Sequence, residues 1–139
     1  MNEIKFRAYI GSLGKMYDVI SLHVKHPDED FQRVFVNKPV EEGEVKNYRI
    51  DGEENFLMQY TGLKDKNDKE IYEGDVLRWT DDLGNEITGY IVYEPLFGEY
   101  SIDTWKEEET ESDGYSFVDL LDIEYEVIGD IFQNTNLIK

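Results

Sequence analysis

The sequence predicts a mostly-β protein, a small barrel or sandwich of short antiparallel strands with one short helix near residues 116–122. Three observations carry that prediction. Apolar residues alternate with polar ones in several short runs, and clusters of Gly, Asn and Asp separate the runs at close spacing. Only one stretch places apolar residues at helical spacing.

In the first run Ile4, Phe6, Ala8 and Ile10 share one face, while Lys5, Arg7 and Tyr9 take the other. Gly11-Ser12-Leu13-Gly14 reads as a turn, and Ile20, Leu22 and Val24 alternate with Ser21 and His23, so the two runs form a hairpin. Phe31 to Val36 fits a strand bounded by Pro27 and Pro39, which lack backbone donors and keep a central strand from running through either position. Residues 37–55 are polar and acidic and read as a long loop, or a loop with a short edge strand.

From Phe56 the pattern sharpens. Phe56, Met58 and Tyr60 alternate, and a turn-rich stretch runs from Gly62 to Asp68. Ile71-Tyr72 and Val76 to Trp79 flank Glu73-Gly74-Asp75, where glycine suits a bulge or a close backbone approach and Asp75 a local backbone acceptor. Asp81 to Asn85 is the next turn, followed by strands at 87–93 and 100–105. Residues 106–114 are nearly all charged or polar and cannot supply a core. After them Ser116 to Asp119 resembles a small capping box, and Phe117, Leu120 and Leu121 would give a short helix one apolar stripe. A last strand follows around Tyr125, Val127 and Ile128. At 139 residues the whole chain, 1–139, fits a single domain, with an N-terminal hairpin part to about 55 and a barrel-like part over 56–139.

Composition narrows the function. Seven Phe, 10 Tyr and 2 Trp argue for a packed core rather than a disordered chain. With no Cys, disulfides, thiolate metal sites and cysteine nucleophiles are excluded. A net charge of −18, concentrated after residue 80, repels phosphate backbones and anionic lipids, so nucleic-acid and membrane partners are disfavoured. The N-terminus alternates charged and apolar residues instead of presenting a secretory signal, and no apolar run approaches a bilayer span. These features point to the cytoplasm of the producing cell.

A search for chemistry returns no catalytic, cofactor-binding or metal residues. Only His23 and His26 could serve as imidazole bases. No Gly-x-Ser-x-Gly elbow, phosphate-binding glycine loop or calcium-loop pattern is present. The His23-x-x-His26 spacing lacks further ligands and is interrupted by Pro27. The carboxylate clusters read as turn formers and solvated charges. Among them are Asp81-Asp82, Asp119-x-x-Asp122 and Asp65 to Asp68, the last mixed with Lys66 and Lys69. The aromatics remain: Tyr60, Tyr72, Trp79, Tyr90, Tyr93, Tyr100 and Trp105 are too many for all to be fully buried. Of these, Tyr72, Trp79, Tyr90, Tyr93 and Trp105 form the candidate interaction surface.

The run from Leu57 through Gln59-Tyr60-Thr61-Gly62-Leu63-Lys64-Asp65 and on through Ile71-Tyr72-Glu73-Gly74-Asp75-Val76 resembles the signature of the YopX-like family. The closing Glu126-Val127-Ile128-Gly129-Asp130-Ile131-Phe132-Gln133-Asn134 resembles that family's C-terminal stretch, and Ile4 to Ala8 with Lys15-Met16-Tyr17 its N-terminus. The resemblance implies a mostly-β fold and a setting in phages and prophages of Gram-positive and related bacteria. It implies no activity, ligand or site residue.

The expected function is therefore that of a phage or prophage accessory protein, not an enzyme, acting through contact with a host or phage protein or with itself as a homo-oligomer. Two alternatives accompany it. One is an acidic DNA mimic that occupies a nucleic-acid-binding protein. The other is a small nucleic-acid-binding barrel using Lys64, Lys66, Lys69 and Arg78.

Overall fold

The computed structural model of the chain describes residues 4–23, 32–37, 45–50, 53–81, 83–94, 99–104, 115–116 and 124–134. Strands dominate them, and they include no helix. The chain divides into two compact units, Glu3–Gln59 and Tyr60–Lys139.

In the first unit β1 (Phe6–Ile10) and β2 (Lys15–His23) form the expected hairpin around the turn at 11–14. Next come β3 (Gln32–Asn37) and β4 (Val45–Ile50), and β5 (Asn55–Lys64) then returns to pair with β1 over its first half. The order is β4-β3-β2-β1-β5. All pairs are antiparallel, so directly opposed residues share a face and their side chains pack together. Ala8, Ile10, Tyr17, Val34 and Val36 make a buried cluster on one face, completed by Val19, Leu22, Tyr48, Ile50 and Leu57. Each fully buried aliphatic side chain contributes about 1.5–3 kcal/mol.

The alternation expected of β2 is broken by a bulge. Val19 pairs with Val36 and Ser21 with Phe35, so Ile20 is an extra residue. Val19 and Leu22 therefore both reach the core, while Ile20, predicted to share a face with Leu22, is 55% exposed. The stretch read as a loop with a short edge strand does contain one, since β4 is the outermost strand. At its end Asn55 is buried, accepting a hydrogen bond from Gly11 N (3.1 Å) and donating one to the Arg49 carbonyl (2.9 Å).

In the second unit the distal half of β5 pairs with β6 (Glu70–Tyr72), which stands next to β5 at the sheet edge. A five-stranded antiparallel sheet is built from β7 (Asp75–Thr80), β8 (Glu86–Glu94), β9 (Glu99–Thr104), β10 (Tyr115–Ser116) and β11 (Glu126–Asp130), in the order β10-β9-β8-β7-β11. Its core holds Ile71, Leu77, Trp79, Ile91, Ile102 and Tyr125.

Both sheets are open. Of the two shapes expected, barrel or sandwich, the closed barrel is not formed: it requires outer strands to pair with each other, and among the described residues β10 and β11 do not. The helix predicted near 116–122 lies outside the described residues except at Ser116. That residue is strand, paired with Ser101.

Gly89 shows how tightly the second sheet is packed. A Cβ there would meet Ile102 Cγ2 at 2.6 Å, the Asp103 carbonyl oxygen at 2.8 Å and the Trp79 ring at 3.3 Å. The indole of Trp79 lies across the space that the glycine leaves open. Gly89→Ala is expected to cost about 1–3 kcal/mol through overpacking. Urea denaturation measures it, and an unchanged midpoint would show that Ile102 and the Asp103 carbonyl do not close that space.

Candidate interaction surface

The sequence singles out five aromatics, and the register of the five-stranded sheet sorts three of them. Trp79 pairs with Ile87 and Leu77 with Gly89, so these four residues face the core together with Ile91. Trp79 is 4% exposed and fills the core. Tyr90 pairs with Val76 and Asp103, which puts it on the opposite face, where its hydroxyl lies 3.4 Å from an Asp103 carboxylate oxygen. Burial and the Asp103 charge together raise the pKa of that hydroxyl. Tyr72 is buried, with its ring 5.5 Å from that of Tyr60. Trp105 lies outside the described residues.

Tyr93 differs from the rest. It continues the core-facing row of β8 beyond Ile91, yet it is 46% exposed. Directly across the strand pair stands Tyr100, and the two rings meet edge to face with centroids 5.3 Å apart. Tyr100 packs on the core cluster, and its pKa is raised by burial, then by the nearby Glu73 and Tyr93. The arrangement is an aromatic pair with one member anchored and the other presented to solvent. Tyr100 and Glu73 are absent from the sequence-derived surface. The hairpin register, which sets residue 93 opposite 100, is the signal that would have supplied the first.

The polar residues of the central run have different work. Asp65 is 7% exposed, and its carboxylate accepts hydrogen bonds from the backbone amides of Asn67 (2.9 Å), Lys69 (2.9 Å) and Val127 (2.8 Å). Burial opposes its ionisation, but the three amides, with Val127 foremost, and the Lys69 charge outweigh that and hold its pKa below the usual carboxylate value. Asp75, 1% exposed, accepts the Tyr72 amide at 2.7 Å. Asp130 accepts the amides of Phe132 (2.9 Å) and Gln133 (2.8 Å) and the Gln133 side-chain amide (2.8 Å). Gly74 has a φ of 87°, where a side chain would be strained. Its amide donates to the Ile91 carbonyl (2.9 Å) while its carbonyl accepts from Ile131 (2.9 Å).

A polar recess of about 330 Å³ lies at the edge of the same sheet, lined by Arg78, Lys66, Glu86, Glu124 and Glu126 among others. Its charges answer one another. Arg78 is hydrogen-bonded to Glu126 and stands 3.9 Å from Glu86, and the bond to Arg78 depresses the Glu126 pKa. Among the described residues no group of three or more His, Cys, Asp or Glu is placed to hold a metal ion, and no helix is long and apolar enough to cross a membrane.

The model of the family described as YopX protein matches residues 5–139. The chain belongs to the YopX family. The crystal structure of protein EF1440 from Enterococcus faecalis is similar to this chain over 100% of both chains, at 25% sequence identity and a TM-score of 0.59. No curated protein matches. The two stretches that carry the strongest YopX resemblance, 57–76 and 126–134, are thus joined in space by the Asp65–Val127 and Gly74–Ile131 hydrogen bonds.

Asp65→Asn places an amide group where a three-fold acceptor is needed and is expected to cost about 1.5–3 kcal/mol, the range for hydrogen bonds to a charged group. Because the folded pKa of Asp65 is lowered, its contribution is fully present above about pH 4 and is lost as pH falls through the folded value. Chemical denaturation at pH 7 and at pH 3 tests this: the gap between wild type and variant should narrow at the lower pH, and an equal gap at both would contradict it.

Proposed function

We propose that this YopX-family chain is a phage or prophage accessory protein. It acts in the bacterial cytoplasm by protein–protein contact, with a second copy or with a host or phage protein, and not by catalysis. The observation that carries the reading is the Tyr93–Tyr100 pair, an aromatic row that leaves the core and ends in solvent. Tyrosine is favoured at protein interfaces because its ring supplies apolar area and its hydroxyl tolerates water. Asp65, Asp75 and Asp130, the buried carboxylates of the family-like stretches, accept backbone amides, which is an architectural use.

The alternatives draw less support. Of the four cations on which the nucleic-acid barrel relies, Lys64, Lys66, Lys69 and Arg78, two have acidic neighbours: Lys64 lies against Asp68, and Arg78 against Glu126 and Glu86. The DNA mimic needs exposed acids in a row, whereas Asp65, Asp75 and Asp130 are buried and Glu126 faces Arg78.

A photo-crosslinking residue at position 93, compared with one at the exposed Thr80, tests the reading in cells that express the chain. A discrete adduct from position 93 alone, identified by mass as a second copy or one other protein, is expected. Equal or absent adducts at both positions would overturn the assignment of this surface.

A further inference from the structure

We propose that Tyr93 and Tyr100 are a site of oxidative modification, where a one-electron oxidant joins their rings into a dityrosine staple across the β8–β9 hairpin. The inference stands apart from the contact reading above, because it concerns a covalent product within one chain.

The ladder fixes the placement. Tyr93 and Tyr100 are directly opposed in the β8–β9 register, and their ring centroids lie 5.3 Å apart at an interplanar angle of 62°. That separation falls within the range of rings in direct contact. Tyr93 is 46% exposed, so an oxidant reaches it from solvent, and an exposed side chain turns quickly between rotamers. Tyr100 is held against the core cluster and stays beside it. The chain has no cysteine, which leaves phenols and indoles as its readiest one-electron donors, and the indole of Trp79 is buried. A second pair supplies the contrast. Tyr60 and Tyr72 have centroids 5.5 Å apart, yet each residue is only 7% exposed. Proximity is common to both pairs, and access separates them.

The step needs an oxidant that accepts one electron at a time, such as the oxidised haem of a peroxidase. Each ring gives up one electron and its phenolic proton, which leaves two phenoxyl radicals. A carbon–carbon bond forms between the positions ortho to the two hydroxyls. The hydrogen on each of those carbons then shifts to its own oxygen and restores the aromatic rings. In sum two electrons pass to the oxidant and two protons to water, so the product is two hydrogens lighter than the chain.

The test illuminates the dilute full chain with a ruthenium tris-bipyridine complex and persulfate, a small one-electron oxidant. A product of monomer size, two hydrogens lighter and with dityrosine fluorescence, is expected. Cleavage after Glu99 separates the two tyrosines in sequence, and the fragments that carry them should remain joined. Tyr93→Phe and Tyr100→Phe should each lose most of the fluorescence and Tyr60→Phe none, with circular dichroism showing all three folded. Fluorescence untouched by Tyr93→Phe, a product confined to covalent dimers, or joined fragments carrying Tyr60 and Tyr72 instead would overturn the inference. A staple in a chain whose position 93 captures no partner in cells upholds this inference while the contact reading fails.

Discussion

Asp65 is the residue on which the second unit turns. Taking a carboxylate out of water is costly, and this one is only 7% exposed. Three backbone amides converge on it, two from its own turn and one from Val127, 62 positions along the chain. The neighbouring Lys66 amide donates to the Tyr125 carbonyl at 3.1 Å. Together they clasp the start of β11, the outer strand of the five-stranded sheet, to the turn between β5 and β6. An outer strand with open donors and acceptors invites pairing with foreign strands. Here the clasp occupies one end of that edge, and the bulge between Val127 and Gly129 distorts the rest.

Gly74 performs the complementary task at the other end of β6. Its N–H engages β8 and its carbonyl the residue after β11, so a single residue holds two elements that are distant in sequence. The YopX-like central run and closing run thus act as one piece of architecture, split across the chain and rejoined by hydrogen bonds. Tyr93 and Tyr100 lie on the hairpin of β8 and β9, outside both runs.

Much of the fold was legible in the sequence because a period of two and a cluster of turn residues are local signals. The turns at Gly11 to Gly14 and Asp81 to Asn85 fall where expected, as do the strands around Phe6, Val34, Trp79 and Ile91. What escaped depends on partners far away. The inserted Ile20 is visible only as a mismatch between β2 and β3, and Asn55, assigned to a loop, earns its burial by tying Gly11 to Arg49. Asp65 was legible as a turn former, but its bond to Val127 was not. The candidate surface suffered most. Trp79 and Tyr93 face the same way yet differ in exposure, and Tyr90 faces the other side. Residue type alone cannot rank aromatics on a sheet with a core on one face.

Asp65 and Gly74 hold the second unit together through hydrogen bonds to backbone groups distant in sequence. Native-state hydrogen exchange of the Val127 and Ile131 amides tests it most directly. If the clasp is structural, both amides exchange only through global unfolding, with the free energy shown by the core amides of β7 and β8. Exchange through a low-energy local opening, well below the global value, would contradict the account.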